Sequence, residues 1–116
     1  MKNSIISSKI ATFEPSGYIT AANVNEFKSE LLAAVNSQDY TTFLVDMSRV
    51  EFVDSAGLMA IVSAFRQAQS LGRQLSLCSL APSVRIIFEL TQLDRIVEIF
   101  EDCSAFIRAT EQLVAI

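Results

Sequence analysis

The residues with the clearest chemical potential lie in one short segment, Asp54-Ser55-Ala56-Gly57-Leu58. A carboxylate and a hydroxyl here precede a run with helical spacing, so Ser55 is predicted to lie where a loop meets the N-terminus of a helix. The first backbone N–H groups of a helix have no intrahelical partner, and the helix dipole attracts anions to that end. A phosphate carried by Ser55 would meet unpaired donors there. Gly57 would keep the first turn open, and Leu58 would begin the buried face of the helix.

Two other interpretations of this segment are structural and catalytic. Asp54 or Ser55 could simply cap the helix, since both residue types favour that position, and capping is compatible with phosphorylation. An enzyme with Asp54 as base and Ser55 as nucleophile is disfavoured, because sequence neighbours need not point at each other and no third group orients the base.

The composition also disfavours an enzyme. The chain has no histidine, which excludes Ser-His-Asp and Cys-His catalysis and most zinc sites. Its three glycines are too dispersed to build a phosphate-binding loop. We therefore predict that the protein is not an enzyme and has no catalytic residue, no metal and no cofactor.

Charge and cysteine content narrow the partner class and the compartment. Thirteen acidic and nine basic residues give a net charge of −4, and the basic residues are scattered, so nucleic-acid binding is not expected. Cys78 lies in an apolar run and is predicted to be a buried reduced thiol. The sequence leaves a disulfide open, although two cysteines outside a CxxC motif, in a chain with no export signal, favour a reducing compartment.

The N-terminal segment and the hydropathy pattern bear on localisation. The first residues, MKNSIISSKIATF, lack the continuous apolar segment of a signal peptide. No apolar run approaches the roughly 20 residues that a membrane span needs. We expect a cytoplasmic protein with no membrane span.

The periodicity of the whole chain predicts a single α/β domain over residues 1–116. Apolar residues make up 51% of the sequence, which is enough for one core. β-favouring runs alternate with segments of helical spacing, which implies a four- to five-stranded, mainly parallel sheet with about four helices. The expected strands are 5–13 with a possible extension at 18–19, 42–47, 74–79 and 96–100; the expected helices are 22–36, 55–71, one from 82 and one from 104.

Residue types at the element ends and on the inner faces refine this prediction. Thr20 or Asn23 could cap the first helix, and Gly72 is placed to end the second in the left-handed conformation. The expected core comprises Phe27, Leu31, Leu44, Val45, Ile61, Val62, Phe65, Leu77, Phe88 and Ile99.

The segment Leu44–Leu58 also resembles the centre of the STAS-domain family. In that family an apolar strand ending in Asp is followed by an apolar-acidic-aromatic step and then by Asp-Ser-x-Gly-Leu. Three further stretches resemble family features, in order and at suitable spacing: Gly17-Tyr18-Ile19, Leu71-Gly72-Arg73-Gln74-Leu75 and Leu90-Thr91-Gln92-Leu93-Asp94. Together they cover nearly the whole chain, and they are similar to the anti-sigma factor antagonist branch of the family.

This resemblance implies a regulatory protein. In that branch the unphosphorylated protein binds a partner that is both a serine kinase and an anti-sigma factor, which frees the sigma factor, and a phosphatase resets the cycle. Carried over to this chain, Ser55 is the phosphorylation site. Asp54, Ala56, Gly57 and Leu58 shape its loop. Many relatives have a second hydroxyl residue where this chain has Ala56, so Ser55 is the single acceptor of the motif.

The partner is expected to bind an exposed patch around the start of the helix that carries Ser55. Thr20 and Asn23 are candidate contacts in the loop before the first helix. Arg66 and Gln67 are candidate contacts farther along the helix that carries Ser55. Many relatives have Asp where this chain has Thr20. Because this loop is expected to contact the partner, the partner of this chain can differ from theirs. The free protein is expected to be a monomer.

Two rival classes of protein share part of this pattern. Asp46 ends an apolar strand, as does the phosphoacceptor of a receiver domain, but such domains also need an acidic pair after the first strand and a late lysine. Glu14 stands alone in that region and no lysine follows Lys28, so this class is disfavoured. A STAS domain can also serve as a structural or ligand-binding subunit of another complex, for example as the partner of a transporter, and this alternative stays open.

Overall fold

The computed structural model describes the backbone of residues 10–114 and the side chains of residues 10–110. The first strand was expected to begin at residue 5, and residues 5–9 lie outside this range. Its described part is β1, Ile10–Phe13.

Within the described residues the main sheet has four strands, and all neighbouring strands in it are parallel. It is formed by β1, β3 (Thr42–Asp46), β5 (Gln74–Cys78) and β6 (Glu98–Phe100), in the order β1-β3-β5-β6. All four strands of this sheet are joined by helical crossovers, as the alternating pattern predicted.

A second, two-stranded parallel sheet departs from the expected layout. β2 (Ser16–Ile19) does not extend β1 but pairs with β4 (Arg49–Val53). Gly17 lies within β2 and has a φ of +78°, in the left-handed region that glycine adopts without strain. The register between the two strands also shifts between Gly17 and Tyr18. This small sheet leads into the segment that carries Ser55.

Residues 10–114 contain four helices that follow the strands, as predicted. They are α1 (Val24–Asn36), α2 (Ser55–Ser70), α3 (Pro82–Leu90) and α4 (Cys103–Val114), and a short 3₁₀ turn at Leu93–Arg95 precedes β6. α1 buries Phe27, Leu31 and Val35, which follow one another at four-residue steps and pack on the core shared with α2.

The C-terminus of α2 confirms the role predicted for Gly72. This glycine has a φ of +71°, its N–H donates to Gln69 at 3.1 Å, and the N–H of Arg73 donates to Ala68 at 2.8 Å. These two bonds form a Schellman motif, which satisfies carbonyl groups at the end of the helix. The Arg73 guanidinium also donates to the carbonyl oxygens of Val35 and Ser37, so the ends of α1 and α2 are tied together.

The predicted core is confirmed at eight of its ten positions. Phe27, Leu31, Leu44, Val45, Ile61, Val62, Leu77 and Phe88 are buried, whereas Phe65 and Ile99 are only partly buried against the core. Ile99 lies on β6, an edge strand with a neighbour on one side only. Cys78 is fully buried, as expected.

Candidate functional site

The carboxylate of Asp54 connects the first turn of α2 to the loop that follows β2. Asp54 occupies the N-cap position, where its Oδ1 accepts a hydrogen bond from the Gly57 N–H at 2.9 Å. Its Oδ2 accepts one from the Ala21 N–H at 3.0 Å, across 33 positions of sequence. These two bonds, the Gly57 bond first, hold the pKa of Asp54 below its ordinary value.

Ser55 is the first residue of α2, and its side chain is exposed. Because Asp54 provides the cap, the Ser55 hydroxyl is not needed for capping, and it has no hydrogen-bond partner within the described part of the chain. Of the two candidate caps, Asp54 is therefore the cap. The helix end offers fewer free donors than expected, since Asp54 already occupies the Gly57 N–H.

Gly57 allows the first turn of α2 to lie directly on β2. A Cβ atom at this position would lie 2.5 Å from the Ile19 carbonyl oxygen and 2.8 Å from a methyl carbon of Val53, which is closer than real Cβ contacts. The next residue, Leu58, is buried in the core, and Ala56 is half-buried. The Asp-Ser-x-Gly-Leu segment is thus anchored on both sides of the exposed Ser55.

The loop between β2 and α1 is held by its own side chains. Asn23 Oδ1 accepts from the Thr20 N–H at 2.9 Å, and Asn23 Nδ2 donates to the Tyr18 carbonyl at 2.6 Å. Thr20 Oγ1 accepts from the Ala22 N–H at 3.3 Å. Asn23 occupies the N-cap position of α1, as expected, but neither its side chain nor that of Thr20 caps the helix through a hydrogen bond. Their polar groups instead fix the loop that Asp54 reaches through Ala21.

Arg66 and Gln67 differ in their surroundings on α2. Arg66 is exposed and lies eleven positions after Ser55, which corresponds to about three helical turns on the same face and about 16 Å along the axis. Gln67 is half-buried, and its Nε2 donates to Asn36 Oδ1 on α1 at 2.9 Å. Arg66 therefore faces solvent in line with Ser55, whereas Gln67 contributes to the contact between two helices.

The comparison with protein families agrees with this arrangement. A sequence model described as "STAS domain" matches residues 2–105. The chain belongs to the STAS domain family. The receiver-domain alternative is thereby excluded.

Three sequence relatives of this STAS domain share one designation. A protein of Bordetella bronchiseptica named "Putative anti-sigma factor antagonist BtrV" is 32% identical over 75 residues, which cover 65% of this chain and 64% of that protein. The crystal structure of a protein from Thermotoga maritima with the same designation is 27% identical, has a TM-score of 0.81, and is matched over 88% of this chain and 87% of its own. The anti-sigma factor antagonist SpoIIAA of Bacillus in its unphosphorylated form shares the fold, with a TM-score of 0.73 at 18% identity over 91% and 92% of the two chains.

Three exposed apolar residues of the STAS domain lie on β2, β4 and the start of α2, the elements next to Ser55, and were not predicted from the sequence as contacts. Tyr18 and Phe52 face each other across β2 and β4, with ring centroids 6.1 Å apart, and are 58% and 42% exposed. Met59 is 55% exposed and lies one turn after Ser55. The exposure of Met59 could have been predicted from the sequence, because this residue falls outside the helical spacing of the buried residues. We call the set Tyr18, Asn23, Phe52, Ser55 and Met59 the Ser55 surface.

A groove of about 460 Å³ adjoins the Ser55 surface. It lies between the turn from β1 to β2 and the first half of α1, and it shares Tyr18 and Asn23 with that surface. Exposed glutamates at positions 14, 26 and 30 contribute to its lining. This side of the STAS domain is therefore acidic.

Asp46 has a structural role at the end of β3. Its Oδ1 accepts a hydrogen bond from the Ser48 N–H at 3.0 Å, in the turn that leads to β4. Burial by itself raises the pKa of Asp46, but the hydrogen bonds from Ser48 and Cys103 and the charge of Arg49 together outweigh this effect and hold the pKa below its ordinary value. None of the helices described between residues 10 and 114 is long and apolar enough to cross a membrane.

The contribution of Asp54 to stability is expected to depend on pH. Its folded-state pKa lies below the ordinary value of 3.8, which is also expected in the unfolded chain. Its stabilising effect should therefore be complete above about pH 4 and lost as the pH falls through the folded-state pKa. Thermal melts should show Asp54→Ala less stable than the parent at pH 7, with a gap that narrows below pH 4.

Asp54→Asn is the matched control for this measurement. Asparagine can still accept the Gly57 hydrogen bond but does not titrate. A gap between the parent and Asp54→Ala that stays constant from pH 7 to pH 2.5 would contradict the assignment of these hydrogen bonds to the carboxylate.

Proposed function

We propose that this STAS domain is a phosphorylation-controlled antagonist of an anti-sigma factor and acts by binding, without catalysis. In its unphosphorylated form it binds a partner that is both anti-sigma factor and serine kinase, and so controls sigma-factor-dependent transcription. The observation that carries the proposal is the exposed Ser55 hydroxyl, left free at the N-terminus of α2 because Asp54 caps the helix. The designations of the sequence relatives support the antagonist role.

The surroundings of Ser55 suit modification by a kinase. A kinase must reach the acceptor oxygen from solvent, and Ser55 is exposed whereas Ala56 and Leu58 are turned inwards. Structures of SpoIIAA are described in both an unphosphorylated and a phosphorylated form, so this fold accommodates such a change. A phosphatase would return the protein to its binding state.

The Ser55 surface has the composition of a protein-binding site. Tyrosine and arginine are enriched among residues that dominate binding energies, and aromatic residues and methionine are enriched in interfaces. Tyr18, Phe52 and Met59 supply apolar area beside the polar groups of Asn23, and Arg66 extends the same side of α2. The acidic groove next to this surface favours a partner with basic side chains at that edge.

Replacing Arg66 with alanine should weaken binding of the partner about tenfold and leave the melting temperature unchanged, because the side chain is exposed. Arg95→Ala is the control, since Arg95 is also exposed but lies on the 3₁₀ turn before β6. Isothermal titration with the partner measures both affinities. Equal losses for the two variants would show that only net charge matters.

Asn23 is expected to act on both stability and binding. Its side chain makes two hydrogen bonds within the loop, to Thr20 and Tyr18, so alanine there should loosen the loop as well as remove a contact. Arg66→Ala is for this reason the cleaner test of the interface.

The proposal includes the setting in which the protein works. Residues 1–116 act as one domain, monomeric when free, in the cytoplasm, where the kinase, its ATP and the sigma factor are found. The alternative, a structural or ligand-binding subunit of a transporter or another complex, predicts no phosphate on Ser55 and a stable complex with such a subunit.

The experiment that tests the function is an intact-mass measurement of the protein purified from its own cells, with peptide mapping. We expect a fraction with one added phosphate group, located on Ser55 and lost in Ser55→Ala. A chain without phosphate that copurifies with a transport protein in stoichiometric amount would support the alternative. Phosphate on another serine would contradict the assignment of Ser55.

A further inference from the structure

The two cysteines of the chain meet at the C-terminal end of strand β5 in the main sheet, away from Ser55 in sequence. Cys78 is the last residue of β5 and is fully buried, and Cys103 is the first residue of α4 and is half-buried. Their sulfur atoms lie 2.9 Å apart, although 25 positions separate them in sequence. Leu44 and Phe106 form a buried cluster with Cys78, and Cys103 packs against it.

The geometry points to a bond between the sulfur atoms, and we propose that Cys78 and Cys103 form a reversible intramolecular disulfide. The carboxylate of Asp46 lies within 4.8 Å of both sulfur atoms, so a metal site is the competing use of this cluster. Two thiolates on one tetrahedral zinc ion lie about 3.7 Å apart, given Zn–S bonds of about 2.3 Å. The observed separation is already shorter than that, which favours the disulfide.

The different exposure of the two thiols sets the order of the reaction with a peroxide as oxidant. Cys103 is the accessible thiol, so its sulfur attacks the peroxide, the O–O bond breaks, and Cys103 sulfenic acid and one water form. The sulfur of Cys78 then attacks this sulfenic acid. The S–S bond forms, and the hydroxyl group leaves with the thiol proton of Cys78 as a second water. Both sulfurs are oxidised and the peroxide is reduced.

The protonation of Cys78 disfavours its attack on free peroxide in the first step. Burial, followed by the hydrogen bond with Cys103, raises the pKa of the Cys78 thiol to about 12. A thiol in this state is a poor nucleophile towards a free oxidant. It is held against Cys103, where the sulfenic acid is generated, and therefore acts as the resolving cysteine.

The bond would fix the C-terminal helix to the sheet. Among the side chains of α4 that the structure describes, residues 103–110, only Phe106 is buried. α4 is thus held by few core contacts, and its opening should be easier than that of the sheet. A disulfide between its first residue and β5 would restrain this opening. In the reducing compartment expected for the protein, such a bond is transient and responds to oxidants.

The proposal is tested on the full chain, reduced, freed of reductant and treated with hydrogen peroxide. We expect the intact mass to fall by two hydrogen atoms, peptide mapping to show Cys78 joined to Cys103 within one chain, and dithiothreitol to reverse the change. The oxidised form should melt about 10 °C higher and show slower amide exchange in α4. Cys103→Ser should lose all of these effects while it keeps the fold, because its side chain is only half-buried.

Three outcomes would overturn the proposal. One is oxidation of Cys103 to sulfinic acid while Cys78 remains alkylatable after unfolding, and another is a disulfide only between two chains. The third concerns the metal alternative: if the reduced chain retains one zinc ion after exposure to zinc alone, and Cys103→Ser does not, the cluster is a metal site.

Discussion

Placing a negative charge on Ser55 is expected to weaken binding of the anti-sigma partner about a thousandfold while the domain stays folded. A phosphate adds about −1.5 to −2 charges. Asp54 lies next to it, and the Asp54 carboxylate already occupies the Gly57 N–H, so the helix end can compensate only part of the added charge. Moving such an ion from water into an interface costs several kcal/mol unless cations face it. A loss of about 4 kcal/mol corresponds to a thousandfold change in affinity.

Substitutions reproduce the two states and allow the change in affinity to be measured without a phosphorylation reaction. Ser55→Ala should bind constitutively, because neither the cap nor a described hydrogen bond depends on the hydroxyl. Ser55→Asp should bind weakly and melt close to the parent. Ser83→Asp is the matched control, since Ser83 is an exposed serine in the first turn of α3. Equal weakening by Ser55→Asp and Ser83→Asp would show that the charge acts nonspecifically.

The mechanism expected for this switch is interference at the interface and not refolding. The Ser55 side chain is exposed, and the core below it is closed by Gly57 and Leu58, so the added group has no buried contact to disturb. Backbone amide NMR shifts on phosphorylation should be confined to the Ser55 loop, the first turn of α2 and the Ala21 loop that Asp54 contacts. Shifts spread through the main sheet would contradict interference.

Replacing Gly57 with alanine is expected to lower stability by about 3 kcal/mol, or about 10 °C in melting temperature. Helix propensity alone predicts the opposite sign, a gain of up to about 1 kcal/mol. The clash decides, because the new Cβ would lie 2.5 Å from the Ile19 carbonyl oxygen, a backbone atom that cannot rotate away. Relief requires the first turn of α2 to move off β2, and this movement would also displace Ser55 and strain the Asp54–Ala21 hydrogen bond.

Gly72→Ala is the comparison for this variant. Gly72 has a φ of +71° but no atom within 4 Å of the missing Cβ, so its cost comes from backbone strain alone and should be about 1 kcal/mol. Thermal melts of both variants separate the two effects. A Gly57→Ala protein as stable as the parent would contradict the close packing of α2 on β2.

Much of this arrangement could be predicted from the sequence because local patterns determine it. Strands and helices alternate with clear periodicities, and Gly72 ends α2 as its residue type suggests. The position of Ser55 at a helix start follows from the spacing of the apolar residues after it. The order of the segments that resemble STAS proteins made the family recognisable.

The remaining features depend on contacts between distant parts of the chain. Asp54 and Ser55 are equally good caps by residue type; the hydrogen bond from the Gly57 N–H shows that Asp54 takes this role, and its second bond, to Ala21 33 positions away, is one that no local pattern predicts. The separate β2–β4 pair depends on contacts between segments about 30 positions apart, which no periodicity reveals. In the same way, the pairing of Cys78 with Cys103 requires the docking of α4 on β5.

The most direct measurement for the central claim is an isothermal titration of the anti-sigma partner with the same preparation of the STAS domain in two states. In the first state the protein is phosphorylated by the kinase, and the phosphate is mapped to Ser55. The second state is obtained from the first by treatment with a phosphatase. We predict binding about a thousandfold weaker in the first state and full affinity restored in the second. Equal affinity of the two states for the partner would contradict the account.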